Sequence, residues 1–336
     1  MTDHPPKQAT LHDVARLAGV SHQTVSRVIN DHPSVLPSTR ERVLEAIRIL
    51  DYRPNRAARS LITGRSQTIQ AINFKPYFMG PLKQVIYEAA ACGYHVGISN
   101  LSEAESFDEF RQLMDELTSR VMDGFIFFES ELDLRAEELN RLCRGVPYVK
   151  QGGNPGDCIA SVVFDQRAGM NQVMDHLLGL GHRRIAEIVG WKGIYDARIR
   201  HDIYLERMAQ AGLEPGPVTF GDFSARGGYE AANQLLDSGQ PFTALVCAND
   251  TTAIGALRAL HERGLRVPED VSVVGYDDNS EAPYLEAPLT TVRQDYDAQG
   301  VQTVKMLVAM IADPQAERHP HLIYPELVVR QSTRAV

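Results

Sequence analysis

Leu11, Val14, Ala15 and Ala18 recur at helical spacing, which predicts one short amphipathic helix between Thr10 and Gly19. Thr10 stands where an N-cap belongs, and Asp13, three residues on, is placed to reach back to it. Gly19 ends the run at a position that favours positive φ. Ser21 then caps a second helix with Val25, Val28 and Ile29 on its apolar face. Pro37 fits the first turn of a third, with Val43, Ala46, Ile47 and Leu50 on one side. From Thr68 the pattern changes to short apolar runs alternating with amphipathic stretches. Residues 68–74, 95–99, 124–128 and 147–150 read as one set of strands, and 161–164, 185–189, 244–247 and 271–274 as a second. Helical stretches fall between them, among them 168–179, 200–211 and 251–262. Repeated βα units with β-branched strands predict an α/β class, with parallel sheets covered by helices on both faces.

Two short helices joined by a tight glycine turn form a helix-turn-helix, although an ordinary helical core carries the same pattern. In a helix-turn-helix the start of the second helix enters the major groove of DNA. That start carries His22, Gln23 and Thr24, with Ser26 and Arg27 one turn on, all able to hydrogen-bond to bases or phosphates. Charge separates the two readings. Residues 1–66 hold 10 Lys+Arg against 6 Asp+Glu, a net of +4, while the whole chain carries −9, leaving −13 for the remainder. A basic head on an acidic body is the electrostatic footprint of a nucleic-acid module joined to a partner domain.

At 336 residues, 43% hydrophobic and 23% charged, the chain is long enough for two or three domains and has the balance of a soluble protein. Cys92, Cys143, Cys158 and Cys247 show no paired spacing, so they read as small buried apolar residues, and no metal or cofactor is expected. The polar, proline-containing start offers no signal peptide, and no apolar run has membrane length, which places the protein in the cytoplasm without a membrane partner. No apolar heptad tail follows Glu326-Leu327-Val328-Val329, so a homodimer is the default assembly.

The strings Asp13-Val14-Ala15, Ala18-Gly19-Val20-Ser21, Thr24-Val25-Ser26-Arg27-Val28-Ile29-Asn30, Thr39-Arg40 and Tyr52-Arg53-Pro54-Asn55 resemble the headpiece of the lactose-repressor/galactose-repressor family of bacterial transcription factors. The likeness runs on through Val336. It implies an all-α headpiece over 1–52, a hinge over 53–66, and an effector-binding and dimerisation domain over 67–336. That domain would hold two doubly wound subdomains like those of periplasmic binding proteins, about 67–159 plus 292–322 and 160–291 plus 323–336, with chain crossovers near Ala160 and Thr291. The DNA-contacting set it implies is His22, Gln23, Thr24, Ser26, Arg27, Asn30, Asn55, Arg56, Arg59 and Leu61. Of these His22, Gln23 and Arg27 would read base edges, Arg suiting guanine and Gln adenine. Arg56 to Leu61 would form the hinge helix, with Leu61 wedged between central base pairs. The alternative for Leu61 is a linker residue packed on its own headpiece. Two departures stand out. His22 replaces an aromatic or small residue, so no relative's operator sequence can be copied. Leu36 replaces a capping Ser, which costs about 0.5–2 kcal/mol, partly offset by Pro37.

Ligands of open α/β sheets bind beyond the carboxyl ends of strands. There the sequence places Asp165 after Phe164, Trp191 after Val189, Phe223 in Gly221-Asp222-Phe223-Ser224, Asn249 and Asp250 after Ala248, and Asp277 and Asp278 after Tyr276. Arg200 is expected to open a helix after the Trp191 loop. Amides, carboxylates and a guanidinium match vicinal hydroxyls, and aromatic faces match the apolar side of a sugar ring. By resemblance Arg200, Asn249 and Asp277 hold effector hydroxyls, with Phe223, Gln294 and Tyr296 as secondary contacts. The plainer readings are that Asp250 caps a helix, Asp278 faces solvent, and Phe223 and Tyr296 are core aromatics. Lys75 and Lys150 each end a strand expected to face the cleft, where relatives usually have other residues. An effector with a carboxylate or phosphate would suit them; solvated lysines paired with local acids are the alternative.

The expectation is a regulator, a repressor, that binds palindromic double-stranded operator DNA as a homodimer and responds to a small, sugar-like effector. An acidic sugar, a sugar phosphate or a non-sugar metabolite are the alternatives for that effector. A carbohydrate enzyme with an appended head is the rival class, and it lacks support: no Gly-x-Ser-x-Gly elbow, phosphate-binding glycine loop or His-Glu-x-x-His occurs. A free-standing sugar carrier is disfavoured by the basic head. Gly181-His182-Arg183-Arg184 reads as a structural turn before a strand.

Overall fold

The computed structural model describes residues 9–29, 32–53, 65–73, 80–101, 106–128, 135–157, 160–316 and 318–336. They fall into two units, Met1–Ser66 and Gln67–Val336.

In the first unit α1 (Leu11–Ala18), α2 (His22–Ile29) and α3 (Pro37–Ile49) follow the apolar periodicity. The Thr10–Asp13 capping box closes in both directions: Thr10 N donates to Asp13 Oδ2 (3.0 Å) and Asp13 N to Thr10 Oγ1 (3.3 Å). Gly19 stops α1 with φ 64°, and Thr24 N donates to Ser21 Oγ (3.2 Å) at the start of α2. Leu36 makes no side-chain cap for α3, and Pro37 occupies its first turn. Val14, Val25, Val28, Val43, Ala46 and Tyr52 interlock into one small core.

The second unit opens with β1 (Thr68–Asn73), α4 (Gly80–Ala91), β2 (His95–Asn100), α5 (Phe107–Thr118), β3 (Gly124–Phe127), α6 (Ala136–Cys143), β4 (Tyr148–Gln151) and β5 (Ser161–Phe164). It continues with α7 (Gln166–Gly179), β6 (Ile185–Val189), α8 (Tyr195–Gln210), β7 (Val218–Phe220), α9 (Ala225–Asp237), β8 (Ala244–Cys247), α10 (Asp250–Glu262) and β9 (Ser272–Val274). The chain ends with β10 (Thr291–Arg293), α11 (Tyr296–Ala312), β11 (Pro320–Ile323) and β12 (Glu326–Val328). A six-stranded parallel sheet has the order β11-β5-β4-β3-β1-β2, and a four-stranded parallel sheet the order β7-β6-β8-β9. β10 and β12 form an antiparallel pair.

Each sheet is covered on both faces. On the first, Leu82, Val85 and Ala89 of α4 and Val304, Leu307 and Met310 of α11 pack against Ile69, Ile126, Val149 and Val162. On its other face Phe110, Met114 and Leu139 pack against Phe125, Phe127 and Tyr148. The second sheet lies between α7 with α8 and α9 with α10.

Two expectations change here. Ser161–Phe164 belongs to the first sheet, paired with β4 and β11, rather than to the second set. The first crossover therefore falls after Phe164, not near Ala160. An all-apolar parallel strand carries no local mark of which sheet it joins, because only distant partners decide it. Cys143 and Cys247 are buried as expected, but Cys92 is exposed at the end of α4, and Cys158 lies outside the described residues. His182 is fully buried, with Nδ1 2.8 Å from Thr243 Oγ1 and Nε2 3.1 Å from both Ser272 Oγ and Arg334 O, which fits its structural reading.

α9 and α10 cross at glycine contacts. A Cβ on Gly255 would lie 1.9 Å from Ala225 O and 2.6 Å from Tyr229 N, and one on Gly228 2.2 Å from Thr252 O. These are backbone atoms, so the helices themselves must separate to relieve the clash. Gly255→Ala should destabilise the second unit by about 1–3 kcal/mol despite alanine's higher helix propensity, read as a lower urea midpoint. An unchanged or higher midpoint would contradict this packing.

Candidate functional site

In the first unit His22 opens α2, and His22, Gln23 and Arg27 are exposed, while Thr24 and Ser26 are half-buried. The apolar residues Val25 and Val28 turn inward, so the polar set shares the outward face. The His12 and His22 rings lie 5.4 Å apart, an aromatic contact between α1 and the head of α2. Asn30, Asn55, Arg56, Arg59, Leu61 and Lys75 lie outside the described residues.

The second unit holds a cavity of about 540 Å³ walled by the carboxyl ends of both parallel sheets. Asn73 ends β1 and Phe128 follows β3, where the strand order of the first sheet reverses; Trp191 and Asn249 follow β6 and β8, where that of the second reverses. Such switch points leave a crevice because successive helices depart to opposite faces.

Arg200 is the buried cation of the described cavity lining, 8% exposed. It sits one turn inside α8, not at its start as expected. Its Nε donates to Gln166 Oε1 (2.8 Å), its Nη1 to Ala248 O (2.7 Å), and its guanidinium lies 3.7 Å from the Tyr276 ring centroid. Gln166 Nε2 donates to Asp196 Oδ2 (2.7 Å) and Gln294 Oε1 (3.0 Å). Gln294 Nε2 donates in turn to Asp277 Oδ1 (2.7 Å), which also accepts from Tyr296 Oη (3.0 Å). Burial works against the charge on Arg200, but Tyr276, Asp277 and Asp196 hold its pKa above the ordinary value. Burial raises the Asp277 carboxyl, while Arg200 and hydrogen bonds from Tyr296, Gln294 and Asn249 oppose that rise.

The cavity brings together seven of the predicted residues: Arg200, Asn249, Asp277, Phe223, Gln294, Tyr296 and Trp191. Phe223 has φ 65° and Asp277 φ 110°, conformations that L-residues adopt at a cost and that aim both side chains. The Phe223 ring lies over Gly190, where a Cβ would stand 2.2 Å from Cζ.

Asp165 and Lys150 are not in the cavity wall. Asp165 caps α7, its Oδ1 accepting from Ala168 N (2.8 Å). β4 runs one residue past Lys150, so Gln151 rather than Lys150 reaches the cavity. Lys150 shares the face of Tyr148, and its ammonium lies against Gly153. The plainer readings shift too. Asn249, not Asp250, caps α10, accepting from Thr252 N (2.8 Å). Asp278 is paired with Arg293 (2.8 Å) and Arg330 (2.6 Å) rather than facing solvent.

Sequence reasoning missed Gln166, Asp196, Asn73, Gln151 and Gln299. Gln166 directly follows the flagged Asp165, so the strand-end rule stopped one residue short.

Asp250 is 1% exposed and accepts from Thr291 Oγ1 (2.5 Å) and Asn279 N (2.7 Å). Burial and then the Asp277 carboxylate push its carboxyl up to about 7. A carboxyl with a raised folded pKa stabilises the fold at low pH and loses that contribution as pH rises through the folded value. From this group, stability should fall by about 2–4 kcal/mol between about pH 4 and pH 7. Asp250→Asn should remove this part of the slope while Glu187 and His201 keep theirs. Urea unfolding of both proteins across that range measures it, and equal slopes would contradict the assignment.

Residues 10–55 match the lacI family of bacterial regulatory proteins, and residues 174–333 the periplasmic binding protein-like domain. The HTH-type transcriptional regulator CelR of Thermobifida fusca is 36% identical over 342 residues, spanning 97% of this chain and 98% of CelR. The Lac repressor dimer bound to operator and the anti-inducer ONPF matches with TM-score 0.91 and 32% identity, over 98% of this chain and 100% of that one. The CelR–cellobiose complex matches with TM-score 0.71 and 33% identity, over 96% and 99% of the two chains. With a helix-turn-helix head, a two-sheet body and similarity along nearly its whole length, this chain belongs to the lacI family of bacterial regulatory proteins.

Proposed function

We propose that this regulator is a repressor that binds a palindromic operator as a homodimer and is controlled by a neutral sugar held in the second-unit cavity. The observation that carries the effector reading is the Arg200–Gln166–Gln294–Asp277 network at the meeting of two strand-order reversals, beside the aromatic rings of Phe164, Trp191, Phe223 and Tyr296. Carboxylate, amide and guanidinium groups suit vicinal hydroxyls, and the rings suit the apolar face of a pyranose. Lys150 lies off this wall, which removes its part in the case for an acidic effector.

In the headpiece, His22, Gln23 and Arg27 read base edges in the major groove, while Thr24 and Ser26 contact edges or phosphates. Asn30, Asn55, Arg56 and Arg59 add backbone contacts, and Leu61 enters the minor groove. The functional boundaries are a headpiece over 1–52, a hinge over 53–66 and an effector domain from 67. The protein works in the cytoplasm and catalyses no reaction. Effector and operator each bind one conformation better, so each changes the other's affinity by the same factor.

The lone Trp191 lines the cavity and serves as the probe. Titration with neutral sugars, sugar acids and sugar phosphates should give a saturable fluorescence change with a neutral sugar. Arg200→Gln should weaken it about 10–100-fold, the loss of a charged hydrogen bond. Repeating the titration with a palindromic duplex, selected by the protein from random DNA, gives the sign of the coupling. Binding to that duplex should fall steeply with salt. A wild-type protein that binds no sugar in either fluorescence or thermal shift would overturn the effector reading; salt-insensitive or absent DNA binding would overturn the operator reading.

A further inference from the structure

The wall of the cavity on the first-sheet side carries three carboxamides, Asn73, Gln151 and Gln299, among Pro81, Phe128 and Phe164, and both glutamines have their amide nitrogens tied into the protein. Gln299 Nε2 donates to Val162 O (3.0 Å). A carbonyl accepts only, so the nitrogen must face it and the Gln299 oxygen must face away. Thr303 Oγ1 donates its single hydrogen to Gln299 O (2.8 Å), so towards Gln151 it acts as acceptor, and Gln151 Nε2 donates to it at 2.8 Å. The orientation of both amides is thus fixed by their partners. Gln151 Oε1 is left buried with no hydrogen bond, and no described residue donates to Gln299 Oε1. Both residues are 3% exposed and both belong to the cavity wall.

A buried carbonyl oxygen without a donor costs free energy that a bound donor recovers. We propose that Gln151 and Gln299 form an acceptor pair that determines effector specificity: the end of the effector facing the first sheet must present hydroxyl or N–H donors, and a carboxylate or phosphate there is rejected. The proposal rests on the sugar reading and narrows it. Amide oxygens at that wall repel an anion, and each amide nitrogen, having given one hydrogen to the protein, keeps only its second N–H to set against that repulsion. The charged groups across the cavity point the same way, since among the described lining residues Asp196, Asp222 and Asp277 stand against one cation, Arg200. The terminal amide torsion of glutamine is broad, so Gln151 Oε1 can tilt toward a ligand donor while its nitrogen keeps Thr303. Both glutamines also fasten to α11, Gln299 lying on it and Gln151 through Thr303, so a ligand held by the pair is held to that helix.

The test uses the full-length protein and Trp191 fluorescence with cellobiose and glucose as neutral probes, and gluconate and glucose 6-phosphate as anionic ones. Wild type should bind a neutral probe at least about tenfold more tightly than its anionic counterpart. Gln151→Met, close in shape but unable to accept, should weaken the neutral probe about tenfold and narrow that preference; Gln299→Met is the second variant, should the first fold poorly. Tighter binding of the anionic probe, or unchanged neutral affinity in both variants, would overturn the acceptor pair while leaving a sugar effector standing. Failure of all four probes counts against the sugar reading, and unliganded Gln151→Met then decides the acceptor pair. Because Gln151→Met also loses the bond to Thr303, Thr303→Val, which removes that bond with the one from Thr303 to Gln299 O and keeps the Gln151 oxygen, sets the scale. Gln151→Met should lower Tm no more than Thr303→Val does, and a larger loss would mean that the Gln151 oxygen is already satisfied inside the protein.

Discussion

One buried guanidinium organises the second unit. A charge taken out of water is tolerated only when its surroundings answer it, and leaving it uncompensated costs several kcal/mol. Arg200 is answered by Gln166 at the start of α7, by the carbonyl of Ala248 after β8, and by the Tyr276 ring after β9. Gln166 passes the constraint on to Gln294 and Asp196, and Gln294 passes it to Asp277. Five separate chain segments are therefore positioned by the needs of one cation. Their polar ends form a cavity wall because each meets Arg200 where a strand stops, and α8 and α7 pack so as to deliver Arg200 and Gln166 there.

Much of this was legible in the sequence, for local reasons. The Thr10–Asp13 box, the Gly19 stop and the apolar spacing of α1 to α3 are written within a few residues of one another, and the structure follows them. Strands such as Ile185–Val189 and Ala244–Cys247 stood out as short apolar runs between helices. What failed was decided at a distance. Ser161–Phe164 looks alike in either sheet, and only β4 and β11 settle its place. The brief strands β10 and β12 exist only as each other's partner. Lys150 was misplaced by a single residue of strand length, and one residue of pleat reverses the face of a side chain. Arg200, Asn249 and Asp277 were found because the strand-end rule and the family likeness agreed on them. Gln151 ends β4 and was passed over for its neighbour Lys150, Gln299 lies inside α11 where that rule does not reach, and the significance of both lies in which end of each amide is occupied.

The second-sheet wall holds unusual backbone. Phe223, Asp277 and Asp278 all have positive φ without being glycine. Each is fixed by contacts outside its own turn: Phe223 by Gly190, Asp277 by Tyr296 and Gln294, Asp278 by Arg293 and Arg330. Strain of this kind persists where surroundings over-determine a residue, and here those surroundings are the site itself. That wall is held by contacts made within the protein.

Three passages of chain join the two sheets: one between Phe164 and Gln166, one through Arg293 to Tyr296, and one between Ile323 and Glu326. They run side by side, with Asp165 N bonded to Ile323 O (2.9 Å) and Gln166 to Gln294 (3.0 Å). Adjacent crossings of this kind are where hinge closure of two lobes about a ligand turns, and the coordinate it changes is an opening angle. Two of those ribbons also carry the hub of the site, Gln166 on one and Gln294 with Tyr296 on another. Whatever occupies the cavity thus grips the pivot as well as the jaws, and chemical identity is converted into a single mechanical number.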